Sequence, residues 1–406
     1  MIKKFLIIWS LISFFASNLL SQSSSIAGLT VEQDIFLNIP PINYLNILNE
    51  DRNYTMGIAF TLPRKKPRCL FKPLRTIDKV MWGFDYEDES NDMTLTAQSL
   101  NLGGTGFTPR YLGEAIDSID KIVNDRPFAG IIFIQVQKTK LDVSKLRSSS
   151  LIYGLYGTHI PKAVQGYMHE QGWGGGDRIY PNGWNNQISN GGEFTFLYTV
   201  NWKELQTPSA LESLKDHKLF DFYQNIELRI GYYTGVKTEL GLKFGLLDPR
   251  NWFNTNGSIL NSASGLYSNQ LIDQRIKSIG SPPKSTVEMA TFTSNINYLD
   301  YLKEDYRYEL YLFLNPRLNY YLYNGFLQGQ FRNNFHDLSY SEISPLVAEF
   351  DFGLGMTIPL KNKCWDNKQF DAVQIAAIVS GRSPEFKLSM ARSHFWAGFQ
   401  AYYIFF

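Results

Sequence analysis

The sequence predicts an all-β protein: a transmembrane antiparallel β-barrel of about 12 strands, with a short helix in one extracellular loop. Three observations lead there. The chain opens with an export leader and has no later apolar run long enough for a membrane helix. Long segments alternate strictly between apolar and polar residues. The last segment is dense in aromatics and closes on Phe406.

The leader begins with Lys3 and Lys4, runs through the apolar stretch Phe5–Phe15 and turns small and polar at Ser17–Ser25. That order is a secretory signal peptide, read here as residues 1–22, which leaves 23–406 as one barrel domain. Past residue 30 no stretch approaches the roughly 18 consecutive apolar residues of a spanning helix. The 406 residues carry 39 Lys+Arg against 38 Asp+Glu, a net charge of +1, and only 19% are charged while 15% are aromatic. This disfavours disorder and leaves no bulk charge with which to bind nucleic acid. Cys69 and Cys364 cannot build a disulfide framework, and neither has a second cysteine at metal-ligand spacing.

Strand pleating puts successive side chains on opposite faces, so a barrel strand in lipid reads apolar outward and polar inward over about 9–11 residues. Leu346–Ile358 does so, with Leu346, Ala348, Phe350, Phe352, Leu354, Met356 and Ile358 on one parity and Glu349, Asp351 and Thr357 on the other. Tyr54, Met56, Ile58, Phe60 and Leu62 oppose Thr55, Gly57, Ala59 and Thr61 in the same way, and the pattern recurs around Phe194–Trp202, Ile226–Tyr232 and Tyr306–Leu314. Candidate strands fall near 31–39, 53–62, 93–102, 129–138, 149–158, 193–203, 217–232, 236–246, 305–317, 345–358, 370–379 and 394–406. Glu227, Arg229, Arg307, Glu309, Glu349 and Asp351 are then expected to pair across the lumen. An even count places both termini on the periplasmic side and the odd-numbered connections outside. Two connections stand apart for length: 63–93, with Arg64, Lys65, Lys66 and Arg68, which parity places on the periplasmic side, and 247–300, whose side the sequence leaves open. FWAGFQAYYIFF at 395–406 resembles the C-terminal aromatic signal of outer-membrane proteins.

Polar residues without a structural need gather in Tyr156–Glu193. Pro161 is a fitting first helical residue, and Ile160–Gln171 reads as a short helix stopped by Gly172. Gln165 and His169, four apart, share one of its faces. Gly174–Gly176, Asp177 and Trp184-Asn185-Asn186-Gln187 follow.

These residues, taken in order, resemble the lipid A 3′-O-deacylases of the Gram-negative outer membrane. The resemblance rests on Glu32-Gln33-Asp34, on Asp51-Arg52-Asn53-Tyr54-Thr55-Met56-Gly57, on Thr108-Pro109 and on Asp125-Arg126-Pro127-Phe128-Ala129-Gly130. It continues through Gly157, Gln165 and His169 to Gly183-Trp184-Asn185-Asn186-Gln187, and covers residues 31–200 more fully than the rest.

The resemblance implies an outer-membrane ester hydrolase whose site lies between the barrel wall and the loop helix. It acts on lipopolysaccharide in the outer leaflet as a monomer, removes the 3′-linked acyloxyacyl chain, and depends on Ca²⁺. On this chain it implies His169 as general base, Asp34 and Gln33 on the metal side, and Thr55 lining the site. Asp177, with Glu170 as the alternative, would supply the loop's acidic residue, and Arg110 or Lys121 the basic group near the oxyanion. The chain departs from the family in having Gln33 where an asparagine is usual, and in a longer loop. Strand parity groups Asp34 with Glu32 and Asn38 and puts Thr55 on the polar face, so both are expected to point into the lumen. Asp125-Arg126-Pro127 reads as an ion pair and turn at the rim. The chemistry is consistent: histidine titrates near neutrality, hard oxygen donors suit Ca²⁺, and basic rim residues suit lipid phosphates. A porin-like barrel would explain the strands but not polar residues gathered at one rim. A serine lipase would need an activated serine, whereas Ser148–Ser150, Ser262 and Ser264 read as strand or loop.

Overall fold

Twelve antiparallel strands pair in chain order and close where β1 meets β12. The computed structural model describes residues 25–38, 53–62, 68–84, 95–110, 123–141, 144–170, 181–207, 218–248, 251–252, 256–259, 308–360 and 371–405. The expected signal peptide, 1–22, lies outside them. The strands are β1 (Ser25–Gln33), β2 (Asn53–Leu62), β3 (Leu95–Thr108), β4 (Ala129–Leu141), β5 (Lys145–Tyr156), β6 (Glu193–Leu205), β7 (Lys218–Gly231), β8 (Tyr233–Leu247), β9 (Glu309–Asn324), β10 (Leu346–Leu360), β11 (Asp371–Arg382) and β12 (His394–Phe405). Two longer helices accompany them, α1 (Arg68–Trp82) and α2 (Ile160–Glu170).

Each strand expected from the alternation is present, and the main correction falls on the first. It occupies Ser25–Gln33 rather than 31–39, and Asp34–Asn38 wind into a 3-10 turn. The expected shared face of Glu32, Asp34 and Asn38 therefore does not exist. β3, β5 and β9 also run further toward the outer rim or sit lower than the apolar runs alone indicated.

Hydrogen bonds between side chains mark the lumen. Asn101 Nδ2 donates to Gln135 Oε1 at 3.0 Å, Gln135 Nε2 to Ser150 Oγ at 3.3 Å, and Ser150 Oγ lies 2.8 Å from Thr199 Oγ1, crossing β3 to β6 on one side of the wall. On the opposite parity Ile134, Leu155, Phe194 and Phe196 are exposed, as a lipid-facing surface requires. β12 is apolar on both parities, and its neighbours sort it: Tyr402 meets Thr30 and Gln400 meets Gly257 inside, while Phe399 and Tyr403 face out.

Ion pairs and aromatic rings occupy much of the lumen. Arg229 and Lys237 hold Glu227 at 2.5 and 3.0 Å, and Arg317 joins Glu239 and Asp351. Arg382 joins Glu349 and Glu385. Glu309 accepts from Thr357 and Asn251, and Arg307 lies outside the described residues. At the mouth opposite the termini, Phe326 enters from the β9–β10 loop and packs among Tyr156, Tyr232, Tyr233 and Phe107. From the end that holds the termini, residues 256–259 reach inward: Ser258 Oγ and Ile259 N–H donate to Glu32, and the Ser258 N–H donates to Asp351. Residues 247–300, whose side the sequence left open, thus connect β8 to β9 at the terminal end, and part of them seals the lumen.

The unassigned 63–93 segment contains α1. Phe71 and Leu74 pack against Val136, Leu151, Tyr198 and Val200, all on the outward parity, so the helix lies on the outside of β4–β6. Its Asp78 accepts from Ser149 Oγ and Tyr198 Oη, both at 2.7 Å.

Removing one member of a buried charge cluster strands the others, at a cost of roughly 3–5 kcal/mol. Arg317→Met should lower the free energy of urea unfolding of the reconstituted barrel by that much, read by tryptophan fluorescence. The triple variant with Glu239→Gln and Asp351→Asn should recover most of it.

Candidate active site

At the rim away from the termini, β1, β2 and β3 stand side by side, with Gln33 opposite Met56 and Asn53 opposite Thr108. The β2–β3 register slips between Tyr54 and Met56, which makes Thr55 a bulge residue. A bulge adds one residue to one strand and re-aims its side chains. Tyr54, expected on the lipid parity, turns into the lumen and donates its hydroxyl to Glu32 at 2.6 Å. Thr55, expected in the lumen, instead pairs its hydroxyl with that of Thr108 at 2.6 Å. Asn101 and Phe107 face inward on β3, so Thr108 lies on the outward parity. The Thr55–Thr108 pair thus belongs to the lipid side of the wall.

Asp34 follows the same displacement. Thr30 and Glu32 point inward through Tyr402 and Tyr54, which places Gln33 on the outward parity. The 3-10 turn then carries the chain outward, since Phe36 packs on the outward Phe399 with ring centroids 5.4 Å apart. Asp34, one position past the Gln33–Met56 pair, is level with Thr55 and only 4% exposed.

Helix α2 lies beside this cluster, also on the outer face. Its Pro161 sits on Gly130 so closely that a Cβ there would come within 2.5 Å of the proline ring, and the Trp184 ring rests on the same glycine and on Gly106. The loop bolts the helix down. Trp184 Nε1–H donates to Gln165 Oε1 at 2.7 Å, Lys162 Nζ to Asn185 Oδ1 at 2.9 Å, and Trp184 packs on Phe128 at 5.2 Å. Gly157, at φ +63°, donates its N–H to the Gly130 carbonyl at 3.0 Å, and its left-handed conformation leaves no room for a Cβ beside Ser189. Pro161, Gln165 and Gly166 are buried, while Ile160, Val164 and Tyr167 are exposed on the opposite side. His169 comes one turn after Gln165 on that buried side, by position along the helix; its side chain lies outside the described residues.

The tertiary structure therefore brings Gln33, Asp34 and Thr55 together, adds Thr108, and sets the helix bearing His169 next to them. Glu170 ends α2 and is exposed, and Asp177 and Lys121 lie outside the described residues. Arg110 is exposed, and its backbone N–H donates to Asp125 Oδ2 at 2.8 Å. Arg126 is ion-paired at the rim, but with Glu385 at 3.0 Å rather than within its Asp125-Arg126-Pro127 motif, and burial holds its guanidinium below the usual value against that pull. Sequence reasoning missed Thr108 as the partner of Thr55. It also missed Gly106 and Gly130 as the seat of the helix, although glycines at outward positions, where apolar side chains are the rule, were the available signal.

The donors on these strands are a carboxylate, an amide and two hydroxyls, with no thiolate or imidazole, a set suited to a hard cation. Among the described residues no three His, Cys, Asp or Glu side chains gather at metal-binding distance. A cation at the cluster would rest on Asp34 and neutral oxygens.

A family model described as "Outer membrane protein LpxR" matches residues 5–405. The chain belongs to the LpxR family of outer-membrane proteins. A solved structure described as LpxR from Salmonella typhimurium is similar, with a TM-score of 0.60 at 12% identity, covering 94% of this chain and 100% of that one. A search of curated protein sequences gives no match. Family membership places this LpxR-family chain in the Gram-negative outer membrane, so the rim with α2 faces the exterior and the terminal end faces the periplasm. The family is that of the lipid A deacylases, the one reached from the strand and loop motifs.

Gly130→Leu should force Pro161 and Trp184 off the wall. The expected result is normal heat-modifiable gel mobility, which reports the closed barrel, with faster proteolysis of the loop after β5 and lost hydrolysis.

Proposed function

We propose that this LpxR-family chain hydrolyses the ester linking the 3′ acyloxyacyl chain to lipid A, with His169 as general base. The observation that carries this reading is the position of the Gln33–Asp34–Thr55–Thr108 cluster, on the lipid-facing side of the outer rim beside the helix that contains His169. A substrate embedded in the outer leaflet reaches that face by lateral diffusion. A solute crossing the lumen would meet ion pairs and packed aromatics, which tells against the porin reading.

The oxygen donors fit a calcium ion, which Asp34, Gln33 and Thr55 would hold together with the loop's acidic residue, Asp177 or Glu170. When bound, it supplies positive charge where the ester oxyanion develops. His169 takes a proton from a water as the water oxygen bonds to the acyl carbon. The same imidazolium gives the proton to the sugar oxygen as the ester C–O bond breaks, so that the sugar leaves as a hydroxyl. Gln165, tied to Trp184, and Pro161, seated on Gly130, hold the helix that bears His169 beside the wall. Arg110 or Lys121 would meet substrate phosphate or the oxyanion from the β3–β4 loop.

Mass spectrometry of lipid A incubated with the purified protein and Ca²⁺ tests the reading. Wild type should remove one acyloxyacyl group, chelation should abolish the loss, and His169→Ala should slow it by about 10²–10⁴-fold. Intact lipid A with a folded barrel would overturn the proposal. The rate should also rise with pH as the imidazole loses its proton and then level off, because only the neutral imidazole accepts a proton.

A further inference from the structure

Helix α2 carries its polar and apolar sides the wrong way round for a helix in water. Toward the barrel it turns Pro161, Gln165 and Gly166, all buried, with the Gln165 amide held by Trp184. Away from the barrel it turns Ile160, Ala163, Val164 and Tyr167, all exposed. The spacing i, i+3, i+4, i+7 gathers these four into one stripe opposite Gln165, and none of them is charged. The one lysine of the helix, Lys162, is tied back to Asn185 of the loop. A surface helix in water does the reverse, burying its apolar stripe and hydrating its polar side. Rotation cannot correct the arrangement, because Pro161 on Gly130 and Gln165 on Trp184 fix the helix about its axis.

The stripe continues an existing lipid surface. Met56, Gly106 and Gly130 form the cross-strand row on which Pro161 and Trp184 rest. Two residues toward the membrane centre, about 7 Å down the strands, the next outward row is Ile58, Gly104, Ile132, Leu155 and Phe194. Ile58, Leu155 and Phe194 of that row are exposed, so the hydrocarbon layer extends at least to it. A belt that ended there would leave the apolar stripe of α2 standing in water directly above. Hydrocarbon reaching the helix covers both as one surface. Tyr167 suits the upper margin of such a layer, with its ring among acyl chains and its hydroxyl toward the headgroups.

We propose that α2 lies within the acyl region of the outer leaflet, and that Ile160, Ala163, Val164 and Tyr167 contact acyl chains as an extension of the barrel's lipid-facing belt. The helix of an outer loop is then a membrane element, held between wall and lipid rather than standing in the aqueous layer above. The inference rests on membership in an outer-membrane family and on the packing of α2, and it is independent of the ester-hydrolysis reading.

Spin labelling of the full-length protein in phospholipid vesicles tests the proposal, in a background freed of native thiols by Cys69→Ser and Cys364→Ser. Nitroxides are attached singly through Ile160→Cys and Val164→Cys on the stripe, Phe194→Cys on the wall and Lys387→Cys on an exposed outer loop. Oxygen concentrates in hydrocarbon and a nickel chelate in water, so relaxation by the two reagents reports depth. Both stripe labels should favour oxygen over the chelate several-fold, as the wall label does, while the Lys387→Cys label favours the chelate. A stripe label that favours the chelate would place α2 in water, and one shielded from both reagents would place it under protein; either result overturns the proposal. Heat-modifiable mobility checks that every variant is folded.

Discussion

Hydrocarbon on one side and packed side chains on the other leave the wall of this barrel no place for an uncovered polar group. In lipid, backbone amides must be satisfied within the sheet, and only closure of β1 on β12 does that for every strand. The same constraint acts on side chains, and the buried polar residues on the outward parity of β2, β3 and β5 have protein partners there. Ser149 lies under α1, and Thr55 and Thr108 lie at the rim beside α2 and satisfy each other. The two helices on the outer wall are thus consequences of where the alternation is broken.

The break at the rim is what creates the site. Without the bulge, Tyr54 would face lipid and Thr55 the lumen. With it, the Tyr54 hydroxyl buries against Glu32 and closes the top of the core next to Trp396, while the threonine comes out to the face that substrate can reach. The Glu32 carboxylate is shared with Ser258 and Ile259 of the inserted periplasmic segment, so residues far apart in sequence stabilise one local irregularity. The price of the bulge in lost strand pairing is offset by that buried network.

Rigidity around the site comes from packing as well as hydrogen bonds. Gly130 lets Pro161 and Trp184 approach the backbone, and Gln165 anchors the indole, so α2 is docked at two points along its length. Behind the wall, Arg126, Glu385, Arg382 and Glu349 form a buried chain of charges beneath the aromatic mouth. A wall stiffened from inside can hold a loop helix in register outside it, which a catalytic group borne on a loop requires.

Much of this was legible in the sequence because strand pleating is local. Period-2 alternation marked the positions of the strands, Pro161 and the spacing of Gln165 and His169 marked the loop helix, and the ordered motifs from Glu32 to Gln187 marked the family. Parity also predicted correctly that Glu227, Arg229, Glu349 and Asp351 face inward. Where parity failed, the cause was an interaction between distant residues. The bulge at Thr55 depends on pairing with β3, the outward turn at Asp34 on the face of β12, and the cover over Ser149 on a helix some seventy positions earlier. Alternation states that a strand has two faces. Which face meets lipid at a given residue, and whether another part of the chain lies over it, is settled only when the strands pair and the connections pack against them.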